Sequence, residues 1–191
     1  MQVQYAGYAA ASFRKEQENY TTKDEFLEDF EQDNPGIFVM EYSVDNLDKD
    51  QGSILEKFQI EIDGNANVTD GMIYLDPVMI DRMKESPFKL ESRVYPVDFG
   101  YARSKMYILN LNIPEGMEVH QLPAPIKLVT TDKSGTYHYH VSNTGSTVQV
   151  MIKMTTSKPM YLQAEYEELR SFFNFIVNKE SEPIILKRAN P

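Results

Sequence analysis

Hydrophobic and polar residues alternate with period two through much of this chain. That spacing predicts strands with one buried and one wet face. Phe38, Met40, Tyr42 and Val44 alternate with Val39, Glu41 and Ser43, and Phe58, Ile60 and Ile62 alternate with Lys57, Gln59 and Glu61. Tyr107, Leu109, Leu111 and Ile113 continue the pattern, as do Tyr137, Tyr139 and Val141, then Val148, Val150, Ile152 and Met154. Short strands are expected at Met72–Leu75, Val119–Leu122, Ile126–Val129 and Ile184–Leu186. Residues 2–14 open on the same alternation and read as a strand, although the run Tyr8-Ala-Ala-Ala-Ser-Phe13 suits a helix as well.

Two segments carry helical spacing instead. Thr22-Lys-Asp-Glu25 is a capping box ahead of Phe26, Leu27 and Phe30, and Asn34-Pro-Gly36 stops the helix, so one is predicted over 22–33. Leu162, Tyr166, Leu169, Phe173, Ile176 and Val177 form one apolar face of a second, over 162–179. Val78, Met79 and Met83 allow a further helical turn before Ser86-Pro87. Pro96 places the extended stretch 90–99 at an edge or a bulge. The expected fold is mainly β: an antiparallel β-sandwich with two inserted helices. It reads as a single domain over 1–191, with a soft boundary that would divide it into packed halves 1–85 and 86–191.

Composition narrows the function. The formal net charge is -10, so nucleic acid and anionic membrane surfaces meet a field of the wrong sign. There is no cysteine, which removes a thiolate nucleophile, a disulfide framework and sulfur-ligated zinc. No apolar run reaches the ~20 residues of a spanning helix, so no membrane insertion is expected. The N-terminal residues lack the charged and apolar regions of a signal peptide. Residue 1 enters on a strand-like segment, which suggests a piece of a longer protein and an open sheet edge there, through which two copies would dimerise.

Chemistry-bearing residues are sparse. His138 and His140 share one face of a strand and are weak candidates for metal ligands. Zinc needs a third donor, and a polar outer face explains both equally well. Asp45, Asp48 and Asp50 have the spacing of a calcium loop with Glu56 at the twelfth position, but the sixth position holds Asp50 where glycine is required. The acids over 24–33 read as a solvated helix face. No serine sits in a nucleophile elbow and no glycine-rich phosphate loop is present. No cofactor is implied. Tyr101 and Tyr161 fall at element ends and are candidates for exposed aromatics that bind carbohydrate or peptide.

The densest motif is Ser86-Pro-Phe-Lys, followed by Glu91-x-Arg93-x-Tyr-Pro-Val-Asp-Phe99. It resembles a signature of the C-terminal, β-rich region that follows the catalytic core of transglutaminase-like proteins from Bacteroidetes. Met72-Ile-Tyr-Leu-Asp-Pro77, Ile113-Pro-Glu-Gly116 with Leu122-Pro123, Tyr166–Phe173 and Ile184–Lys187 match further segments in order. The resemblance implies a non-enzymatic accessory domain, with the Cys, His and Asp of catalysis on a neighbouring transglutaminase-like domain of the parent chain. It also implies a periplasmic or cell-surface location. Phe88, Arg93, Tyr95, Pro96 and Asp98 become the candidate interaction motif, with an Arg93–Asp98 ion pair or backbone hydrogen bonds fixing the bend at Pro96.

Overall fold

The computed structural model describes residues 1–49, 52–62, 67–69, 71–80 and 82–189. Among these, strands dominate and every strand pairing is antiparallel.

The strands are β1 (Gln2–Tyr5), β2 (Ile37–Asp45), β3 (Ile54–Ile62), β4 (Asn67–Thr69), β5 (Met72–Leu75), β6 (Val97–Asp98) and β7 (Arg103–Asn112). After these come β8 (Met117–Gln121), β9 (Ile126–Val129), β10 (Gly135–Asn143), β11 (Thr147–Thr156), β12 (Met160–Tyr161) and β13 (Ile184–Arg188). The large sheet has the order β2-β3-β1-β7-β11-β10-β9, and a four-stranded sheet has the order β4-β5-β13-β8. One core joins them: Val3, Tyr107, Tyr137, Tyr139 and Val150 of the large sheet pack with Leu75, Ile184 and Leu186 of the small one. That is the expected sandwich. β1 pairs with β7 and β13 pairs with β5, so backbone hydrogen bonds link residues 1–85 to 86–191 within both sheets.

The expected helices are α2 (Lys23–Asp33) and α3 (Tyr166–Glu180), the latter preceded by a 3-10 turn at Gln163–Glu165. Thr22 Oγ1 accepts from the Glu25 amide at 3.2 Å, while the Glu25 carboxylate reaches back to the Thr21 amide at 2.7 Å. α3 buries Tyr166, Leu169, Phe172, Phe173 and Ile176 over β10. Leu162 lies ahead of it on the surface rather than on its apolar face. Among the described residues of 76–96 there is no helix, and Val78, Met79 and Met83, where a helical turn was allowed, are not helical.

Three expectations are corrected. Only residues 2–5 of the stretch 2–14 are strand, and Tyr8–Gln17 form a helix, α1. Gly7, at φ 58 and ψ -132, breaks the strand, and the three alanines that follow favour helix. Arg14 and Lys15 in the last turn complement its dipole. Second, β1 is interior to the sheet, paired with β3 on one side and β7 on the other, so the N-terminus is not the open edge; the edges are β2 and β9. Third, Phe38 and Met40 are exposed. The β2–β3 register shifts between Val39 and Glu41, leaving Met40 as a bulged extra residue. The bulge brings Ile37 and Val39 into phase with Tyr42 and Val44, and turns Phe38 out.

Candidate functional site

The segment 86–99 is a loop locked at its base and open at its tip. Phe88 is buried and meets three rings edge-on: Phe173 at 5.0 Å, Tyr166 at 5.9 Å and Phe99 at 6.1 Å between centroids. The Tyr166 hydroxyl donates to the Leu90 carbonyl at 2.9 Å. β6 pairs with β12, forming a small ribbon apart from both large sheets, which satisfies the edge placement expected from Pro96. Between these anchors the chain turns outward. Leu90, Val94 and Tyr95 are 65%, 76% and 77% exposed, and Arg93 and Pro96 are exposed with them. The Asp98 carboxylate accepts from the Gly100 amide at 2.7 Å, a contact that follows Pro96 and does not span the bend; among the described residues no ion pair joins Asp98 to Arg93.

The other sequence candidates do not converge. His138 and His140 lie on the outer face of β10, opposite Tyr137 and Tyr139. His138 stands directly across from Lys153 and Lys127 on the flanking strands, a setting that repels a cation. Among the described residues no three His, Asp or Glu side chains gather into a metal-binding group. In the β2–β3 loop the carbonyls of Asn46, Leu47 and Gly52 accept from the Arg14 guanidinium, and Asp45 pairs with Lys57 at 2.7 Å. Asp50 lies outside the described residues. Tyr161 is 2% exposed, which removes it as a surface platform. Tyr101 is half-buried, stacked on Tyr8 at 4.6 Å and covered by Arg103 at 4.9 Å.

What sequence reasoning missed is a cleft of about 770 Å³ on the inner face of the large sheet. Its floor is Tyr5, Lys105, Met154 and Thr156, brought together by the β1–β7–β11 register. One wall is α1 and α2, through Phe13, Glu16, Phe26, Asp29, Phe30 and Asp33. The opposite wall is Met83, Phe99, Tyr101 and Phe173. An aromatic chain seats α2 on the sheet: Phe26 lies 5.2 Å from Tyr42, and Phe30 stacks on Phe58 at 4.9 Å. Glu56 is buried at the floor and accepts from the Tyr5 and Tyr42 hydroxyls, each at 3.1 Å. Burial, then the Glu56 charge, pushes the Tyr42 phenol far above its usual value. At the α2 end, desolvation and the Asp29, Glu16 and Asp33 carboxylates raise the Tyr20 phenol.

A second buried carboxylate sits beside the cleft. Glu180 accepts from the Met83 amide at 3.0 Å. The Tyr137 hydroxyl lies in its field but makes no hydrogen bond of normal geometry. Burial raises Glu180 above the ordinary glutamate value of 4.5, opposed by the Met83 amide and Lys105. The folded state therefore holds this proton more tightly than the unfolded chain. Stability from this group is greatest below 4.5 and falls as pH rises through the raised folded value. Glu180→Gln abolishes that fall. In urea titrations across pH 4–8 the advantage of E180Q over the native chain should grow with pH and then level off; a pH-independent difference would refute the linkage.

Together these features define a β-rich sandwich domain with an anchored apolar loop and an aromatic cleft. A family model described as a Domain of Unknown Function with a solved structure, DUF3858, matches residues 71–186. This chain belongs to that family. Among solved structures it is similar to the crystal structure of a "putative protease" from Parabacteroides distasonis ATCC 8503, at TM-score 0.51 and 15% identity. The match covers 62% of this chain and 24% of that chain, and at this identity it speaks for the fold alone. No curated protein matches.

Proposed function

We propose that this chain is a non-catalytic accessory domain that presents the 86–96 loop to a neighbouring transglutaminase-like module of a longer, exported protein. The observation that carries the reading is the contrast within the loop. Three large apolar side chains stand in water on a backbone held by Phe88 and by the Tyr166–Leu90 hydrogen bond. Exposed apolar groups on a rigid base suit an interface, because little conformational entropy is left to lose on docking. The solved structure of similar fold is itself a longer chain, of which the similar region is about a quarter. The motif resemblance supports a transglutaminase-like neighbour.

The test is hydrogen exchange of residues 86–96 in the full parent protein and in this chain alone. Amides of the loop should be protected in the parent and exchange freely here. The triple variant Leu90→Ser/Val94→Ser/Tyr95→Ser should erase that protection while leaving the melting temperature of the isolated chain unchanged, because all three side chains are already solvated. Equal exchange in both proteins would refute the docking role. Turnover of a peptide or amide substrate by the purified chain would refute the non-catalytic assignment.

A further inference from the structure

The cleft is not used by the loop-docking role and has its own chemistry. Its body is phenylalanine-rich: Phe13, Phe26, Phe30, Phe58, Phe99 and Phe173 all line it. Its two ends differ in charge. Tyr8 begins α1 and stacks on Tyr101, which Arg103 covers, so Arg103 marks the end of the cleft at the start of that helix. Glu16 lies near the far end of α1 and joins Asp29 and Asp33 around Tyr20. Residues 8 and 16 of one helix are separated by about 12 Å along its axis. At the floor, Thr156 is 2% exposed and its hydroxyl finds no partner among the described residues.

We propose that this cleft holds an extended polypeptide segment, apolar in its middle, with a lysine or arginine lodged among Glu16, Asp29 and Asp33. Extended chain advances about 3.3 Å per residue, so four or five residues span the distance between the charged ends. Phenylalanine walls receive the apolar side chains. Charge complementarity selects the cation: three carboxylates face it at that end, and the net charge of -10 draws it in.

Calorimetry with N-acetylated, C-amidated pentapeptides on the intact chain tests this. The sequence Lys-Leu-Phe-Leu-Gly should bind, and its analogues with norleucine or glutamate in place of lysine should bind progressively more weakly. Asp29→Asn/Asp33→Asn should weaken the lysine peptide about tenfold and leave the norleucine peptide unchanged. Both aspartates are exposed, so the fold is not at stake. Ser12→Trp, on the exposed wall of α1, should block every peptide by filling the cleft. The loop variant L90S/V94S/Y95S should bind normally, which separates this site from the docking role. Silence of the lysine peptide up to about 1 mM, or equal binding of the glutamate analogue, would overturn the assignment, as would indifference to D29N/D33N.

Discussion

Val3→Asp should abolish the cooperative unfolding transition of this protein at neutral pH. Val3 is 0% exposed and lies in β1, the strand that holds β3 to β7 in the middle of the large sheet. Its direct cross-strand neighbours are Glu56 and Tyr107. Directly opposed residues place their Cβ atoms about 4.5–5.5 Å apart, so the new carboxylate would face the Glu56 carboxylate in a buried environment. Burying an ion without a partner costs several kcal/mol, and a like charge adds to that cost. Total stability for a domain is about 5–15 kcal/mol, so the substitution consumes most of it. Val3→Ala removes apolar contact only and should cost roughly 1.5–3 kcal/mol. Val3→Lys should be less harmful than Val3→Asp, because it presents the opposite sign to Glu56. Urea denaturation followed by circular dichroism ranks the three. A V3D melting temperature close to that of the native chain would show that the register described above is wrong.

The second large effect is expected at Phe88. Truncation to alanine removes three ring contacts at once and leaves a void against Phe99, Tyr166 and Phe173. Losses of about 3–5 kcal/mol accompany such a change in a packed core. The consequence for the loop is separate from the loss of stability. Without Phe88 the start of the tip keeps the Tyr166–Leu90 hydrogen bond but loses its three ring contacts, so Lys89 and Arg93 become more available to trypsin. Cleavage at these two sites should speed up well before global unfolding, and Phe88→Leu should restore part of the protection. An unchanged cleavage rate in F88A would mean that the loop is held elsewhere, and the docking surface would lose its rigid base.

Both experiments probe features with different legibility in the sequence. Period-two alternation identified β7, β10 and β11 and assigned Tyr107, Tyr137, Tyr139, Val148, Val150 and Ile152 to the core, where the structure has them. Local chemistry identified α2, because the Thr22–Glu25 cap and the Asn34-Pro-Gly36 stop each act within a few residues of the chain. Phe88 was visible as part of a motif, but its role as the anchor depends on Phe173, 85 positions further along the chain. Elsewhere local reading failed for identifiable reasons. α1 was obscured because alternation through Tyr5 runs straight into an alanine run, with only Gly7 marking the change. The phase of β2 was misread because a bulge at Met40 alters which side chains face inward, and a bulge leaves no mark on composition. Tyr161 was expected at the surface because nothing near it in sequence shows that β12 pairs with β6.

From its residues alone, this chain declares antiparallel sheets, two capped or amphipathic helices, the core phase of its longer strands and a proline-flanked motif. Each of these is a pattern of side chains within one segment, governed by backbone periodicity. The central position of β1, the burial of Glu56 and Glu180, and the aromatic cleft were settled only by the tertiary structure. They arise where α1, α2, β1, β7, β11 and α3 meet, and contacts between elements so far apart in the chain follow from strand order and register, which no single segment encodes.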